Sequence, residues 1–548
     1  METISKKNEK SFKLFLFKLL MEEMKEVKQE TNFKKGAKEA FKWFSDHHNI
    51  VFVAILLFAF AIRIYFFFKT MNQPLWWDEA VYLLKAKAWA FGTPDVGFNA
   101  GRQIGSSALY ALLYKFGATE ITFRFLQILF SLGSIILIYF LGSKIFNKKI
   151  ALTASFLFSV FWVDLFVDTR LLPEPIGLFT ALLLIYCFYE GFVLKKSKIA
   201  AWLVGPLFII AFVAREINIL FPAIFFVYLL FTDKLAMFKN KNLWISLGSG
   251  LIASLPYFLY YWIAYGNPLQ QFVTRLEIMQ QTHIAAGGGE MYGTALYFTT
   301  WPMDALKLGI LILFIIGLWL LIKLFLSFNT FWKQESKQLN DYMFLFLCII
   351  IPFVYFAFNT KLYDERYLMM SYPAIFLIAG HSLMSIYDFI KKKIHMIVAV
   401  LIVILFLLFI AFINIPGFAY GDSHIQRASS LIKDRLTSYE PIKEAGLWLK
   451  ENSNKNDLII SQSQPQLVYY SERLVQPFGI AENQTEFESK VLELKPRYAM
   501  VSLFEQHPEW INNYIQQNQN KLKIANALLI NPNDTSQGAV LVIYEFLY

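Results

Sequence analysis

Two adjacent carboxylates, Asp78 and Glu79, follow the first long apolar run of the chain. If a helix begins at Asp78, both acids lie at the positive end of its dipole, which favours their ionised form. An ionised carboxylate can act as a general base. At helical spacing Asp78, Tyr82 and Lys85 share one face, so a base, a phenol and a cation point into one space. This stretch is the first candidate for a reaction centre.

The same stretch also fits a purely structural role. Tryptophan is enriched where a membrane meets water, and three tryptophans surround the two acids: Trp76, Trp77 and Trp89. The alternative is therefore a capped helix at the membrane interface with solvated charges.

Three arginines at the ends of later apolar runs could bind a phosphate: Arg170, Arg215 and Arg366. A guanidinium grips a phosphate through two parallel hydrogen bonds. Each arginine also has an acidic neighbour, so a local ion pair that holds helix ends is the alternative for each one. These acids are Asp168 or Glu174 for the first arginine, Glu216 for the second and Glu365 for the third.

One base and several cations suit the transfer of a sugar from a lipid-linked phosphate to a hydroxyl or amine. The acceptor needs a base, whereas the leaving phosphate needs positive charge and no proton donor. A glycoside hydrolase would need two carboxyl groups about 5 to 9.5 Å apart on either side of the bond. Because neighbouring residues rarely straddle a substrate in this way, Asp78 and Glu79 argue against hydrolysis.

The sequence does not require a metal. No group of His, Cys and Asp residues has a recognisable metal-ligand spacing in the sequence. A divalent cation shared by Asp78 or Glu79 with a bound phosphate stays open, so no cofactor is certain. The two cysteines, Cys187 and Cys348, stand inside apolar runs and offer no disulfide framework.

The composition indicates a multi-pass membrane protein. The mean hydropathy is +0.44, and 56% of the 548 residues are hydrophobic, which exceeds the usual share in soluble domains. The formal charge of +10 comes from lysines in short segments between apolar runs, where they set topology. We therefore expect membrane lipids, and not a nucleic acid, to be partners of this chain.

Eleven apolar runs are long enough to be predicted as spans. They are approximately Ile50 to Phe68, Ile121 to Leu141, Ile150 to Val167, Glu174 to Phe192, Ile199 to Ala214, Ile217 to Phe231, Leu243 to Ala264, Ala305 to Leu326, Tyr342 to Phe358, Met370 to Phe389 and Met396 to Asn414.

Loop charge predicts the orientation, because lysines gather on the cytoplasmic side. With a cytoplasmic N-terminus, every second loop is lysine-rich, at Lys144 to Lys149, Lys195 to Lys198, Lys234 to Lys241, Lys333 to Lys337 and Lys391 to Lys393. All the candidate residues then share the extracytoplasmic face of the plasma membrane.

Three parts are predicted along the chain. Residues 1–49 read as a basic, amphipathic, cytoplasmic segment lying on the membrane surface. Residues 50–414 hold the spans, with the first outer loop at about 69–120. Residues 415–548 are polar and alternate strand and helix patterns, so they are predicted to form an extracytoplasmic α/β domain.

Four short segments resemble the GT-C membrane glycosyltransferases, in particular the protein O-mannosyltransferase and aminoarabinose-transferase branch. The segments are Trp77 to Tyr82, Thr169 to Pro175, Ala214 to Glu216 and Glu365 to Pro373. The resemblance covers about residues 50 to 390 and implies a mainly α, GT-C fold. The C-terminal domain departs from the better-known members of the family, which leaves the acceptor open.

The resemblance also implies roles for individual residues. Asp78 would be the base on the acceptor, and Glu79 would help to position it. The donor would be similar to a dolichyl- or undecaprenyl-phosphate sugar, and attack would invert the anomeric carbon. The candidates for the donor phosphate are Lys85, Arg170, Arg215 and Arg366, and those for other substrate contacts are Tyr82, Tyr367 and Glu174.

The sequence thus favours an inverting glycosyltransferase that acts on a protein, lipid or glycan acceptor. A lipid or polysaccharide transporter is one alternative, although no internal repeat is evident in the sequence. An oligosaccharyltransferase that uses a pyrophosphate-linked glycan is another, although the C-terminal part shows no dedicated sequon-reading motif.

Overall fold

The computed structural model describes residues 42–285, 292–326, 337–359, 363–415, 428–530 and 538–548. The chain divides into two compact units, residues 1–58 and 59–548. Most of the predicted amphipathic segment, residues 1–41, lies outside the described residues, as do Lys333 and its neighbours.

Helices dominate the chain up to residue 414. In chain order they are α1 (His47–Thr70), α2 (Trp77–Phe91), α3 (Gly105–Tyr114), α4 (Glu120–Ile145), α5 (Lys148–Ser159), α6 (Trp162–Val167), α7 (Glu174–Phe188), α8 (Lys198–Ala214), α9 (Phe221–Thr232), α10 (Lys241–Tyr265), α11 (Gln270–Ala285), α12 (Tyr292–Thr299), α13 (Trp301–Leu326), α14 (Lys337–Asn359), α15 (Tyr372–Lys393) and α16 (Met396–Asn414). A π-helical turn, Tyr189–Val193, extends α7, and 3₁₀ turns lie at Glu216–Leu220, Lys234–Lys239 and Glu365–Ser371.

Eight helical segments among the described residues are long and apolar enough to cross a membrane. Two further apolar helices, Lys198–Ala214 and Glu216–Thr232, are shorter. The mainly helical, multi-pass architecture is confirmed, whereas the count of eleven crossings stays a prediction.

One predicted span, Ile150 to Val167, is not a continuous helix. It is interrupted at Val160 and Phe161, between α5 and α6, and Phe161 is extended. Two polar side chains stabilise the interruption: Arg63 donates to the carbonyl oxygen of Ser159 (3.1 Å), and the Asn414 amide oxygen accepts the N–H of Trp162 (3.3 Å). Arg63 and Asn414 thus provide hydrogen-bond partners for backbone groups at the end of α5 and the start of α6. The helix can therefore stay interrupted although its surroundings are apolar.

The remaining elements follow α16. They are α17 (Ala428–Arg435), α18 (Glu440–Asn452), β1 (Leu458–Ser461), α19 (Gln464–Ser471), β2 (Leu474–Gln476), a 3₁₀ turn (Phe478–Ile480), α20 (Gln484–Leu494), β3 (Tyr498–Ser502), α21 (Trp510–Gln517), β4 (Leu522–Leu529) and β5 (Ala539–Phe546). The strands form one mixed sheet in the order β2-β1-β3-β5-β4, in which β1 is parallel to β2 and β3, and β5 is antiparallel to β3 and β4.

Helix α2, which carries the two candidate acids, is held between α3 and α19. Leu84 of α2 joins the core of the sheet region together with Ile459 and Leu467. The Tyr470 hydroxyl accepts the N–H of Leu75 just before α2, at 2.8 Å. The sheet region therefore contributes directly to the placement of α2.

Gly97, in the loop after α2, allows a close approach to α19. Its φ is +77°, which favours glycine. A Cβ at this position would lie 3.0 Å from Val81 and 3.1 Å from Pro465. The lack of a side chain at residue 97 therefore favours the close approach of this loop to both α2 and α19.

Candidate active site

Asp78 stands in the first turn of α2 with its side chain about half exposed (48%). Its carboxylate forms an ion pair with Arg102 at 2.8 Å. The carboxyl group of Asp78 is therefore accessible from solvent while Arg102 holds it in place. Arg102 had not been predicted as a site residue, because it stands in a loop with no pattern around it.

Glu79, the neighbouring acid, is fully buried. Its two oxygens accept the backbone N–H groups of Leu171 (2.6 Å) and Trp76 (2.7 Å). The guanidinium groups of Arg170 and Arg124 lie 3.5 and 3.9 Å away. Glu79 therefore joins the start of α2 to the loop before α7, and its arrangement fits a positioning role.

Arg170 is buried in that loop rather than open to a substrate. Its guanidinium lies 4.0 Å from the centre of the Trp76 ring and donates to the carbonyl oxygen of Arg435 at 3.1 Å. Burial lowers the pKa of Arg170 to about 10 despite the nearby Glu79 carboxylate, so it stays cationic at neutral pH. Arg170 was predicted to bind the donor phosphate, but in the structure its guanidinium already contacts protein groups.

Lys85 forms an ion pair with Asp95 at 2.5 Å and lies over the rings of Trp89 and Phe98. Those contacts come from its own helix and from the following loop. The structure does not place Lys85 beside the arginines that were predicted to bind the donor phosphate together with it.

A charged cluster joins four separate segments of the chain. Glu174 at the start of α7 lies 3.1 Å from Arg215 and 3.8 Å from Arg366. Arg215 is also 3.9 Å from Glu216, which in turn is 3.4 Å from Arg275. The two predicted phosphate ligands Arg215 and Arg366 are therefore neighbours that share Glu174, a nearly buried counter-ion.

Local structure explains why Arg215 points into this cluster. Helix α8 ends at Ala214, and the Asn218 amide donates to the carbonyl oxygens of Ala211 (2.9 Å) and Gly177 (3.2 Å). These bonds satisfy the end of α8 and tie it to α7. A Cβ on Gly177 would lie 2.5 Å from the Arg215 Cβ, so only glycine admits Arg215 here.

Tyr82 connects the Asp78 region to this cluster through Gln103. The Gln103 amide is oriented so that its nitrogen donates to Glu216 (2.6 Å). Its oxygen accepts from the Tyr82 hydroxyl (2.8 Å) and from Arg215 (3.1 Å). Burial raises the pKa of Tyr82, so it remains a neutral phenol that can donate. Gln103 was not among the predicted site residues.

Arg366 and Tyr367 begin the 3₁₀ turn before α15. Asp364 accepts the backbone N–H of Arg366 (2.8 Å) and binds its guanidinium, with the shortest contact at 2.6 Å. Tyr367 stacks on Phe356, with ring centroids 5.3 Å apart. The turn thus holds the Arg366 side chain at a defined position.

A cleft of about 570 Å³, counted to its open mouth, adjoins this turn. Its wall combines aromatic, acidic and basic side chains: Trp76, Trp162, Val163, Phe166, Asp364, Glu365, Arg366, Leu431 and Arg435. Because Arg435 stands in α17, after the last predicted span, its proximity to Trp76 and Arg366 was not predicted.

A buried charge cluster lies deeper. Arg63 of α1 contacts Asp164 (2.5 Å) and Asp168 (2.8 Å), and Ser131 donates to Asp164 (2.6 Å). The side chains of Arg63 and Asp164 are fully buried. Arg63 had not been singled out from the sequence, although a charged residue within an apolar run is a signal that could have found it. Its contacts fit the joining of α1, α4 and α6.

One trio of possible metal ligands occurs among the described residues, Asp46, His47 and His48, in the first compact unit. Asp78 and Glu79 have arginine partners instead. Whether they also bind a cation stays a prediction.

These features define a helical fold with membrane-spanning segments and a candidate site of one accessible acid and several arginines. Residues 105–262 match the family model described as dolichyl-phosphate-mannose-protein mannosyltransferase. A comparison with curated protein sequences gives no significant match.

Solved structures share the fold. The chain is similar to ArnT from Cupriavidus metallidurans bound to undecaprenyl phosphate, with 11% identity, a TM-score of 0.62 and coverage of 90% of this chain and 97% of that chain. It is also similar to the archaeal oligosaccharyltransferase AglB from Archaeoglobus fulgidus in complex with an inhibitory peptide and a dolichol-phosphate, with 12% identity, a TM-score of 0.55 and coverage of 84% and 70%. The predicted resemblance to the GT-C glycosyltransferases is thereby confirmed, and the protein is a glycosyltransferase by class.

Proposed function

We propose that the protein is an inverting glycosyltransferase that moves a sugar from a polyprenyl-phosphate donor to a protein, lipid or glycan acceptor. The observation that carries the proposal is one accessible carboxylate, Asp78, near a cluster that contains Arg215 and Arg366. The two are connected through Arg102, Tyr82 and Gln103. The matched family model is named for a dolichyl-phosphate-mannose enzyme, and the ArnT and AglB structures contain polyprenyl phosphates, which supports a donor of this class.

In the proposed reaction, Asp78 accepts the proton of the acceptor hydroxyl or amine. The acceptor atom forms a bond to the anomeric carbon while the bond from that carbon to the phosphate oxygen breaks, with attack from the opposite face. The polyprenyl phosphate leaves with the bonding electron pair. Arginines near Arg366 stabilise the charge that develops on its oxygens, so no general acid is required.

Neighbouring groups prepare the base. Arg102 orients Asp78 through their ion pair. Glu79 fixes the start of α2, and therefore the direction of Asp78, through its bonds to Trp76 and Leu171. The lysine-rich inner loops support an extracytoplasmic location for this site. A divalent cation between Asp78 and the phosphate remains an additional proposal.

The decisive experiment compares Asp78→Asn with Asp95→Asn in a deletion strain. Both changes remove one carboxylate from the same outer loop, but Asp95 pairs with Lys85. We expect the wild-type and Asp95→Asn proteins to restore the missing envelope sugar, and Asp78→Asn to leave it on the polyprenyl lipid, as measured by mass spectrometry. Full restoration by a correctly inserted Asp78→Asn protein would refute Asp78 as the base.

An oligosaccharyltransferase that uses a pyrophosphate-linked glycan is the second candidate, because the fold is shared with AglB. The same lipid analysis separates the two proposals. Accumulation of a monosaccharide on polyprenyl monophosphate supports the first, and accumulation of an oligosaccharide on polyprenyl pyrophosphate supports the second.

A further inference from the structure

Arg435 stands out among the arginines that surround the outer site. Arg170 faces Glu79, and Arg366 faces Asp364. Arg435 lines the cleft, and among the described residues it has no carboxylate within 4.0 Å. Its guanidinium lies 6.0 Å from the Trp76 ring, on the wall of the same cleft. Within the part of the chain that the structure describes, Arg435 is therefore a cation of the cleft without a carboxylate partner.

The backbone of Arg435 is held by the catalytic part of the chain. Helix α17 ends at Arg435 and packs against α6. The Arg435 carbonyl oxygen accepts from Arg170 (3.1 Å) and from the Ser438 hydroxyl (3.0 Å). Arg170 also pairs with Glu79, the acid that positions α2. Through Arg170, Glu79 therefore also helps to hold the backbone of Arg435. A change of the Arg435 side chain leaves these backbone contacts in place.

The other walls of the cleft suit a sugar attached to a phosphate. Trp76 and Trp162 offer aromatic surface, on which the apolar face of a sugar ring can pack. The indole N–H of Trp76 has no acceptor in the part of the chain that the structure describes. Asp364 and Glu365 supply oxygens that accept sugar hydroxyls, and a free guanidinium binds phosphate through charge-assisted hydrogen bonds.

We infer that this cleft binds the sugar-phosphate headgroup of the lipid donor, and that Arg435 is a ligand of its phosphate. The inference rests on the proposed function and deepens it. The segment after the last predicted span then completes the donor site, since α17 provides one wall and its final residue provides the cation. Arg366, which lines the same cleft, is already partly neutralised by Asp364 and supplies the second guanidinium.

The test measures the binding of farnesyl phosphate to the full chain in detergent. Binding is detected by the change in intrinsic tryptophan fluorescence and by the rise in the unfolding temperature. Arg435→Gln is compared with Lys433→Gln, which removes the same charge from an exposed residue of the same helix. We expect roughly 10- to 100-fold weaker binding for Arg435→Gln, as for the loss of a hydrogen bond to a charged group. Lys433→Gln should bind as the wild type does, and Arg435→Lys should fall between, because lysine keeps the charge without the fork.

Farnesol, glucose 1-phosphate and inorganic phosphate complete the set of probes. Weaker binding of all three than of farnesyl phosphate supports a lipid-phosphate site. Equally tight binding of glucose 1-phosphate or inorganic phosphate would show a site for soluble phosphates and overturn the lipid assignment.

The inference and the proposed function fail in different ways. Wild-type binding of farnesyl phosphate by Arg435→Gln would refute the role of Arg435 while leaving the Asp78 experiment untouched. Absence of transfer by the wild type in the deletion strain would refute the proposed function, whatever the binding result.

Discussion

The Glu79 carboxylate accepts the backbone N–H of Leu171 at 2.6 Å, although the two residues are 92 positions apart. Through this bond the helix that presents Asp78 is fixed to the loop that precedes α7. Arg170 and Arg124 balance the charge of Glu79 from within 4 Å. The accessible acid is thus oriented by a buried one, and the two neighbouring carboxylates have different environments and roles.

Replacement of Glu79 by Gln should destabilise the protein strongly. The change leaves two buried arginines without their shared counter-ion and turns an amide N–H₂ toward a backbone donor. We expect a loss of about 3 to 5 kcal/mol, as for a broken buried ion pair, seen as a lower thermal unfolding temperature. Glu120→Gln is the control, because Glu120 pairs with Arg124 but is partly exposed; it should cost about 1 kcal/mol or less. Equal effects of the two changes would contradict the buried role of Glu79.

Replacement of Arg215 by Lys should reduce transfer while the fold is kept. Lysine preserves the positive charge beside Glu174 but loses the planar fork that can contact Glu174, Gln103 and a phosphate at once. We expect transfer to fall about 10- to 100-fold, in the range found when one transition-state donor is lost. Transfer is measured as the initial rate of sugar loss from the lipid fraction.

Arg275→Lys serves as the comparison for Arg215. Arg275 is half exposed and forms its ion pair with Glu216 rather than with Glu174, so its change should have a smaller effect. A larger loss from Arg275→Lys than from Arg215→Lys would show that the centre of the site lies nearer to the outer loop.

Much of the fold was predictable, because apolar runs and lysine-rich loops are local signals. The span ends near Glu174, Ala214 and Asn414 agree with helix bounds in the structure. The interruption at Val160 was not predictable, since its stabilising partners, Arg63 and Asn414, are far away in the sequence. Apolar periodicity carries no information about such distant polar contacts.

The site was only partly predictable for the same reason. Arg215 and Arg366 were selected individually, and the structure brings them together at Glu174. Lys85 was selected by helical spacing, yet Asp95, ten residues later, forms its ion pair. Arg435 lies after the predicted spans, and nothing in the sequence indicates that its helix packs on α6.

Gly97→Ala should destabilise the contact between the first outer loop and α19. The added Cβ would lie 3.0 to 3.1 Å from Val81 and Pro465, at a φ of +77° that disfavours alanine. Gly92→Ala is the matched control, because its φ is +71° but nothing lies within 4 Å of the added atom. The left-handed backbone should cost each variant about 1 to 2 kcal/mol, and only Gly97→Ala should lose more. Equal unfolding temperatures would argue against a tight contact at Pro465.

Single cysteines at positions 78 and 366 should react with a membrane-impermeant maleimide added outside intact cells. Asp78 and Arg366 have partly exposed side chains, and the loops that contain them alternate with lysine-rich loops. The buried Cys187 and Cys348 are first replaced by Ala, and Lys196→Cys in an exposed, predicted inner loop is the control that should react only after permeabilisation. A single reaction centre requires its base and its phosphate ligand to face the same compartment. Labelling of positions 78 and 366 from opposite sides would therefore rule out both the proposed mechanism and the shared donor cleft, even if each residue proved essential by itself.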